Sequence, residues 1–439
     1  MTVTPSTQGG AAPGLLGWWR EGTPQARRAL VAAGLGWMLD SFDVMLYALV
    51  LPWLMPDLGL SLDAAGLLAS ATLLASAGGG LIFGIVADRW GRTRALIASV
   101  LIYSVFTAAC GLARSVTQLA VFRVLLGIGM GGEWASGAAL VSETWPAAHR
   151  GKALGLMQSA WAIGYGAAAI VTRLVLPRWG WRAVFFVGVL PAFFTLWVRR
   201  HVEEPAIWRD ARARHRAAVA PPAGEAGPPP RARGGATAGI RRVFSPPLVQ
   251  LTIPLIVMNA CTMFGWWGFN LWLPAYLSLP AAQGGLGFTA ATMTMFVVAM
   301  QVGMWFGYVT FGFVSDAIGR KRAYVIYTVT AAAAILAYIS VDVPLALLLL
   351  GPIVAFFATG YFSGFGAVTA EIYPTTVRAT AQGITYNIGR VASAGAPFAV
   401  GTLAHTRGFA TALSITALAF LLAAATWYWI PETKGRDLT

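Results

Sequence analysis

The chain has 439 residues, of which 57% are hydrophobic and only 11% charged, about half the charged share of an average soluble domain. That composition excludes an ordinary soluble enzyme or a disordered chain and points to a bilayer. The formal net charge of +14 would suggest nucleic acid in a soluble protein. Here the basic residues gather at the ends of apolar runs, where they set membrane orientation, and no nucleic-acid partner is expected.

A helix needs about 20 apolar residues to cross the hydrocarbon core. Taken in order, the runs that meet this test cover residues 29–54, 64–87, 95–113, 117–141, 153–176, 183–198, 248–277, 289–315, 323–340, 344–370, 379–403 and 409–430. The first is too long for a signal-peptide core and is read as a retained span. Twelve crossings put both termini on one side. The termini and even-to-odd connections carry 24 Lys or Arg, against four (Arg114, Arg178, Arg182, Arg407) on the other side, so both termini are expected in the cytoplasm. The expectation is an all-α membrane protein: a six-helix bundle over 1–198, a cytoplasmic linker over 199–245 and a second bundle over 246–439. The linker holds ten arginines and Pro228-Pro229-Pro230; it is read as solvated and able to rest on anionic headgroups.

Cys110 and Cys261 lie far apart in apolar stretches and are read as core packing. The four histidines fall in loops or at helix ends. No metal or cofactor is expected, and the chain is expected to be monomeric.

One stretch is used twice. Gly84, Asp88, Gly91, Arg92 and Arg94 recur 228 positions later as Gly312, Asp316, Gly319, Arg320 and Arg322. The following loop keeps the same offset: Glu143, Pro146, Arg150 and Gly155 return as Glu371, Pro374, Arg378 and Gly383, and Glu204 returns as Glu432. Self-similarity at a fixed period marks repeat architecture. This doubled motif resembles the major facilitator superfamily of secondary transporters, over nearly the whole chain. The resemblance implies two six-helix repeats rocking about a midplane site. It also implies a gate of ion pairs holding the cytoplasmic side shut, formed by Asp88, Arg92, Arg94, Glu143, Arg150, Asp316, Arg320, Arg322, Glu371 and Arg378, with Glu204 and Glu432 able to join. The alternative is a set of solvated surface charges, each pair worth about 0 to 1 kcal/mol.

Charges inside the spans cost about 2.5 to 3.5 kcal/mol each on insertion scales and usually face a cavity or a counter-charge. In span one, Asp40 and Asp43 stand three apart on one helix face. Two such carboxylates in low dielectric oppose each other's ionisation, which suits groups that take up and release a proton; the alternative is a structural pair with Arg123 of span four. Glu133, also on span four, is the third proton-site candidate. It lies about 15 Å along the axis from Arg123, too far for the two to pair. The glycines between them (Gly127, Gly129, Gly131, Gly132) allow close helix approach.

Span eleven carries Tyr386, Asn387 and Arg390 with no acid of its own, and every acidic residue of the second half falls at a loop or helix end. A planar guanidinium matches a carboxylate bidentately, so Arg390 is the first candidate to bind a substrate anion and Arg123 the second. The alternative for Arg390 is a cross-bundle bridge to Asp40, Asp43 or Glu133. Trp267 in the aromatic run of span seven, with Asn270, Gln158 and Gln301 at depth, completes the candidate cavity; Phe264 and Phe269 are read as packing.

Asp40-Ser-Phe-Asp43 resembles the paired-aspartate motif of aromatic acid:proton and sialate:proton symporters. Gly131-Gly132-Glu133-Trp134 with Glu143-Thr-Trp-Pro146 is similar to the sialate and metabolite:proton symporter branches. Residues 199–245 hold none of the extra spans of bacterial sialate carriers, and span seven keeps only Asn259 and Thr262 of the fungal monocarboxylate pattern. The resemblance therefore implies a proton-coupled importer of a small organic anion, a carboxylate, in the cell inner membrane. Rival readings in the same fold are a sugar or sialic acid carrier, suggested by Pro431-Glu-Thr-Lys-Gly435, and a drug:proton antiporter, disfavoured because Ala162 to Ala169 has no proline. An enzyme is disfavoured by the lack of a histidine-paired nucleophile or metal cluster, and a sensor by a tail of only about nine residues after the last span.

Overall fold

The structure is a computed structural model, which describes residues 17–204, 209, 236–374 and 377–435. Most of the linker expected at 199–245, with Pro228 to Pro230, lies outside the described residues, as do the side chains of Asp88, Trp134 and Arg150.

Span one runs Pro24–Leu58. Thr23 caps it, its hydroxyl accepting the Ala26 amide at 3.1 Å with Pro24 in the first turn, and Gly59 ends it in the left-handed conformation at φ 62°. The helix begins earlier than the hydropathy because its polar first turn, with Arg27 and Arg28, stays helical outside the apolar layer. Spans two, three and four are Leu62–Trp90, Arg92–Cys110 and Val116–Thr144. Spans seven, eight, nine and twelve are Val249–Ser278, Ala290–Ile318, Arg320–Ile339 and Phe409–Thr426.

Ten stretches among the described residues are long and apolar enough to cross a membrane. One of them, Gly151–Val198, has 48 residues and would be about 72 Å long if straight, twice the bilayer core. It breaks at Gly180 (φ 72°), so it supplies spans five and six. Span ten is discontinuous: Pro344–Thr359, a 3-10 turn at Gly360–Gly364, then Phe365–Ile372. Span eleven is Arg378–Ser393 followed by Ala396–Arg407, and neither piece alone is long enough to register as a crossing. The count is therefore twelve, with spans ten and eleven broken where the sequence suggests continuous helices.

Glycine sets a close helix contact in the first half. A Cβ on Gly127, Gly79 or Gly131 would run into the Thr72, Ile128 or Ser76 carbonyl, so spans two and four meet backbone to backbone.

The doubled motif makes the same local structure twice. Span three begins after Gly91 (φ 116°) and span nine after Gly319 (φ 100°), a backbone region that side chains disfavour. Into the space each missing Cβ leaves comes a carboxylate: Glu204 at Gly91 and Glu432 at Gly319. Glu204 accepts the amides of Arg92 (2.7 Å), Thr93 (3.2 Å) and Arg94 (3.3 Å). Glu432 accepts those of Arg320 (2.8 Å) and Lys321 (3.1 Å). An anion at a helix N-terminus satisfies orphan amides and meets the positive end of the helix dipole. Beside each cap an arginine bridges to the next loop, Arg92 to Glu143 at 2.8 Å and Arg320 to Glu371 at 3.0 Å.

These bonds join residues of the expected gate. They run within each half rather than between halves, as do Arg320 to Asp316 and Arg378 to the Ala370 and Tyr373 carbonyls. Arg94 and Arg322 are exposed and form no ion pair among the described residues. The reason is geometric: the motif and its answering loop belong to neighbouring helices of the same bundle.

Two outcomes follow. Gly319→Ala, which combines an unfavourable φ with crowding of Glu432, should destabilise the detergent-solubilised protein by roughly 1 to 3 kcal/mol, read as a lower melting temperature. Gly312→Ala, where a Cβ meets open space, should not. Partial burial by itself pushes the Glu432 carboxyl up, but the Lys434, Arg320, Lys321 and Thr433 amides together hold it below its ordinary value of 4.5. A depressed value stabilises the fold above that pH and is lost as pH falls through the lower folded value. The melting difference between wild type and Glu432→Gln should therefore be full at neutral pH and vanish in acid.

Candidate functional site

Between the halves lies an open-mouthed cavity enclosing about 440 Å³, its solvent-filled mouth included. Its walls are mostly aromatic: Trp37 of span one, Trp161 of span five, Trp266 and Trp267 of span seven, Tyr308 of span eight, Phe362 of span ten and Tyr386 of span eleven. The indoles form one cluster, with Trp37 to Trp161 at 4.7 Å, Trp161 to Trp266 at 5.7 Å and Trp266 to Trp267 at 4.8 Å between ring centres. Arg390 and Gln158 are its polar wall residues; Met130 and Met263 complete it.

The cavity is closed on the side away from the Arg-rich face. There, Tyr165 donates to the Asn270 carbonyl (3.1 Å) and Thr294 to the Ala169 carbonyl (3.2 Å). The Phe398 amide donates to Ser70 (3.1 Å), and His405 faces Asp63 at 3.5 Å. Gly66 and Gly401 let spans two and eleven touch: a Cβ on either would strike the Pro397 or the Leu62 carbonyl.

The structure brings the predicted acids together but sets them behind the wall. Asp40 and Asp43 are each 1% exposed and Glu133 is fully buried. Two of the acids stand one turn beyond a cavity residue, Asp40 after Trp37 and Glu133 after Met130. Asp43 accepts a hydrogen bond from Thr107 at 3.1 Å. The Glu133 carboxylate fills the space beside Gly36, where an added Cβ would sit 2.5 Å from it, and neither of its oxygens has a hydrogen-bond partner among the described residues. None of the three acids forms an ion pair among the described residues. Asp40 lies within electrostatic reach of Arg390, Asp43 and Glu133, so it is the member through which the acids and the cavity guanidinium meet.

Arg390, Tyr386, Gln158 and Trp267 line the cavity as the sequence suggests. Four other candidates do not. Arg123 is buried over the Tyr47 ring, its guanidinium 4.2 Å from the ring centre and its Nε 3.2 Å from the Thr72 hydroxyl, so a cation–π contact stands where the alternative reading put a pair with the span-one aspartates. Asn387 turns back onto the Gly383 carbonyl of its own helix, and Asn270 onto that of Trp266. Gln301 packs against Gly166 at the interface of spans five and eight. Sequence reasoning passed over Trp37, Trp161, Trp266, Tyr308 and Phe362. For Trp37 and Trp161 a signal existed, since each stands three residues from a singled-out polar residue, Asp40 or Gln158. Packing supports the reading of Phe269, which meets Tyr338 with ring centres 6.0 Å apart.

Twelve helices in two sequence-related halves around such a cavity have clear relatives. A probable 4-methylmuconolactone transporter of Cupriavidus pinatubonensis is 33% identical over 427 residues, 96% of this chain and 94% of that one. The sialic acid transporter NanX of Escherichia coli is 29% identical over 407 residues, 92% of this chain and 93% of that one. Among solved structures, a D-xylose-proton symporter superposes with a TM-score of 0.71 at 20% identity, covering 94% of this chain and 100% of that chain. The sequence also matches the Major Facilitator Superfamily family model over residues 33–282 and 277–439. With both halves matched, the chain belongs to the Major Facilitator Superfamily, and it is a multi-pass membrane transporter rather than an enzyme.

Proposed function

We propose that this transporter carries a small organic anion, a carboxylate, together with a proton, by alternating access. One observation supports this reading above the others: a guanidinium buried in one half, Arg390, opens on an aromatic cavity, while three unpaired carboxylates are buried behind the wall of the opposite half. Arg390 would take the substrate carboxylate in a paired hydrogen bond. Relatives named for sialic acid and for 4-methylmuconolactone fit an organic-acid cargo.

Asp40 and the bound anion compete for the same positive charge. With Asp40 ionised, Arg390 is partly neutralised across the seam; with a proton on Asp40, the guanidinium is free to hold the anion. Asp43, bonded to Thr107, and Glu133, beside Gly36, are the reservoir from which that proton is exchanged. Proton and anion then load together, and the net charge in the low-dielectric core changes least when both are aboard or both absent. Taking the Arg-rich face as cytoplasmic, the closed seam lies outside and the cavity opens inward. Four indoles around one guanidinium favour a flat, conjugated carboxylate, which the rings can stack on and the cation can hold, over a neutral sugar, which would leave that charge unmatched.

The purified protein, screened by thermal shift against mono-, di- and aromatic carboxylates, sugars and sialic acid, should be stabilised by a carboxylate and not by neutral sugars. Arg390→Ala should abolish that shift; a shift equal to wild type would remove the anchor. In proteoliposomes, Asp43→Asn should lose uphill accumulation driven by a proton gradient while retaining exchange of substrate across the membrane. Undiminished gradient-driven uptake would exclude Asp43 from coupling.

A further inference from the structure

Arg390 is 6% exposed, and its Nη2 donates to the Ser76 hydroxyl at 2.9 Å. Ser76 belongs to span two, in the other half, so this bond crosses the seam. The serine has one proton, which goes to the Leu73 carbonyl of its own helix at 2.8 Å. What Ser76 turns toward the guanidinium is therefore a lone pair, and it can only accept. A neutral acceptor fixes a cation without cancelling its charge, so the positive end remains available to an anion. A carboxylate at the same place would satisfy the arginine and occupy it.

The position along the seam adds a second feature. Arg390 stands in the last turn of Arg378–Ser393, where its carbonyl accepts the Ser393 hydroxyl at 2.8 Å and the Ala394 amide at 3.2 Å just before span eleven breaks. Beyond the break, the segment Ala396–Arg407 lies on span two through the Phe398 to Ser70 bond, the Gly66 contact and His405 to Asp63. The Arg390 to Ser76 bond is thus the innermost closure of that seam and the one that touches the cavity.

We propose that Ser76 is a positioning residue of the anion site. It holds the Arg390 guanidinium toward the cavity while spans two and eleven are joined, and releases it when they part, so that anion affinity differs between the two conformations. A ligand shifts a conformational equilibrium only by such a difference in affinity. This inference rests on Arg390 as the anion anchor.

The test uses the full chain with Cys110→Ser and Cys261→Ser, spin-labelled at Leu67→Cys on span two and Thr406→Cys on span eleven. Distances between the labels are measured by double electron–electron resonance with no ligand present. Ser76→Ala leaves a buried guanidinium donor unsatisfied only in the closed seam, so the separated population should rise roughly tenfold relative to the closed one, and the carboxylate-induced thermal shift should shrink. Ser76→Thr, which keeps the hydroxyl, should restore both; a purely structural role for the small side chain would not be rescued by the bulkier threonine. Wild-type distances and thermal shift in Ser76→Ala would overturn the inference while leaving Arg390 as anchor. A thermal shift that survives Arg390→Ala would instead remove the anchor, whatever the distances show.

Discussion

Burying charge in a medium that cannot screen it is the constraint on which this structure turns. Five carboxyl or guanidinium side chains lie buried at membrane depth among the described residues: Asp40, Asp43, Arg123 and Glu133 in the first half, and Arg390 in the second. Arg123 is accommodated locally by Tyr47 and Thr72. The three acids lie behind the wall opposite Arg390, and of them Asp40 is the one within electrostatic reach of the guanidinium, without an ion pair among the described residues. A full salt bridge there would be a resting state with nothing left to bind; complete separation would be too costly to keep. The intermediate arrangement leaves room for a proton on one side and an anion on the other.

The two membrane faces solve different mechanical problems. On the Arg-rich face, Glu204 and Glu432 cap spans three and nine, while Arg92 to Glu143 and Arg320 to Glu371 tie neighbouring loops. All of these bonds stay inside one half and make each bundle a rigid body. On the opposite face the halves meet through single hydrogen bonds, glycine contacts and the His405 to Asp63 pair. Strong bonds within bodies and weak ones between them are what a rocking motion of two domains needs. The breaks in spans ten and eleven add compliance beside the cavity, where non-helical backbone is tolerated because it is buried in protein.

For the organic anion proposed as cargo, the aromatic cavity accounts for selection of a charge by so hydrophobic a site. Indole and phenol rings exclude water and offer flat apolar faces, so one guanidinium in their midst interacts more strongly than it would at a wet surface. In the proposed scheme, specificity comes from the single place where the charge sits and from the neutral hydroxyl bonded to it.

How much of this could be read from the chain differs by feature. The twelve crossings, the doubled motif at an offset of 228 and the buried acids were legible, because bilayer thickness, repeat symmetry and the cost of intramembrane charge act on local sequence. The equal offset of Glu204 and Glu432 also marked them as one structural device. Which side chain meets which was not legible. Asn387 and Asn270 look like cavity liners by polarity, yet each satisfies itself on its own helix; Trp37 and Tyr308 look like packing, yet they form the wall. The gate residues pair within bundles because helix neighbourhood, not charge pattern, decides their reach. Sequence by itself determined the class, the repeat and the presence of uncompensated charge, since each follows from periodicity and composition. Only the tertiary structure decided that Arg390 opens on the cavity, that Arg123 does not and that Ser76 stands opposite it, because those depend on the rotation of helices that are hundreds of residues apart in the chain.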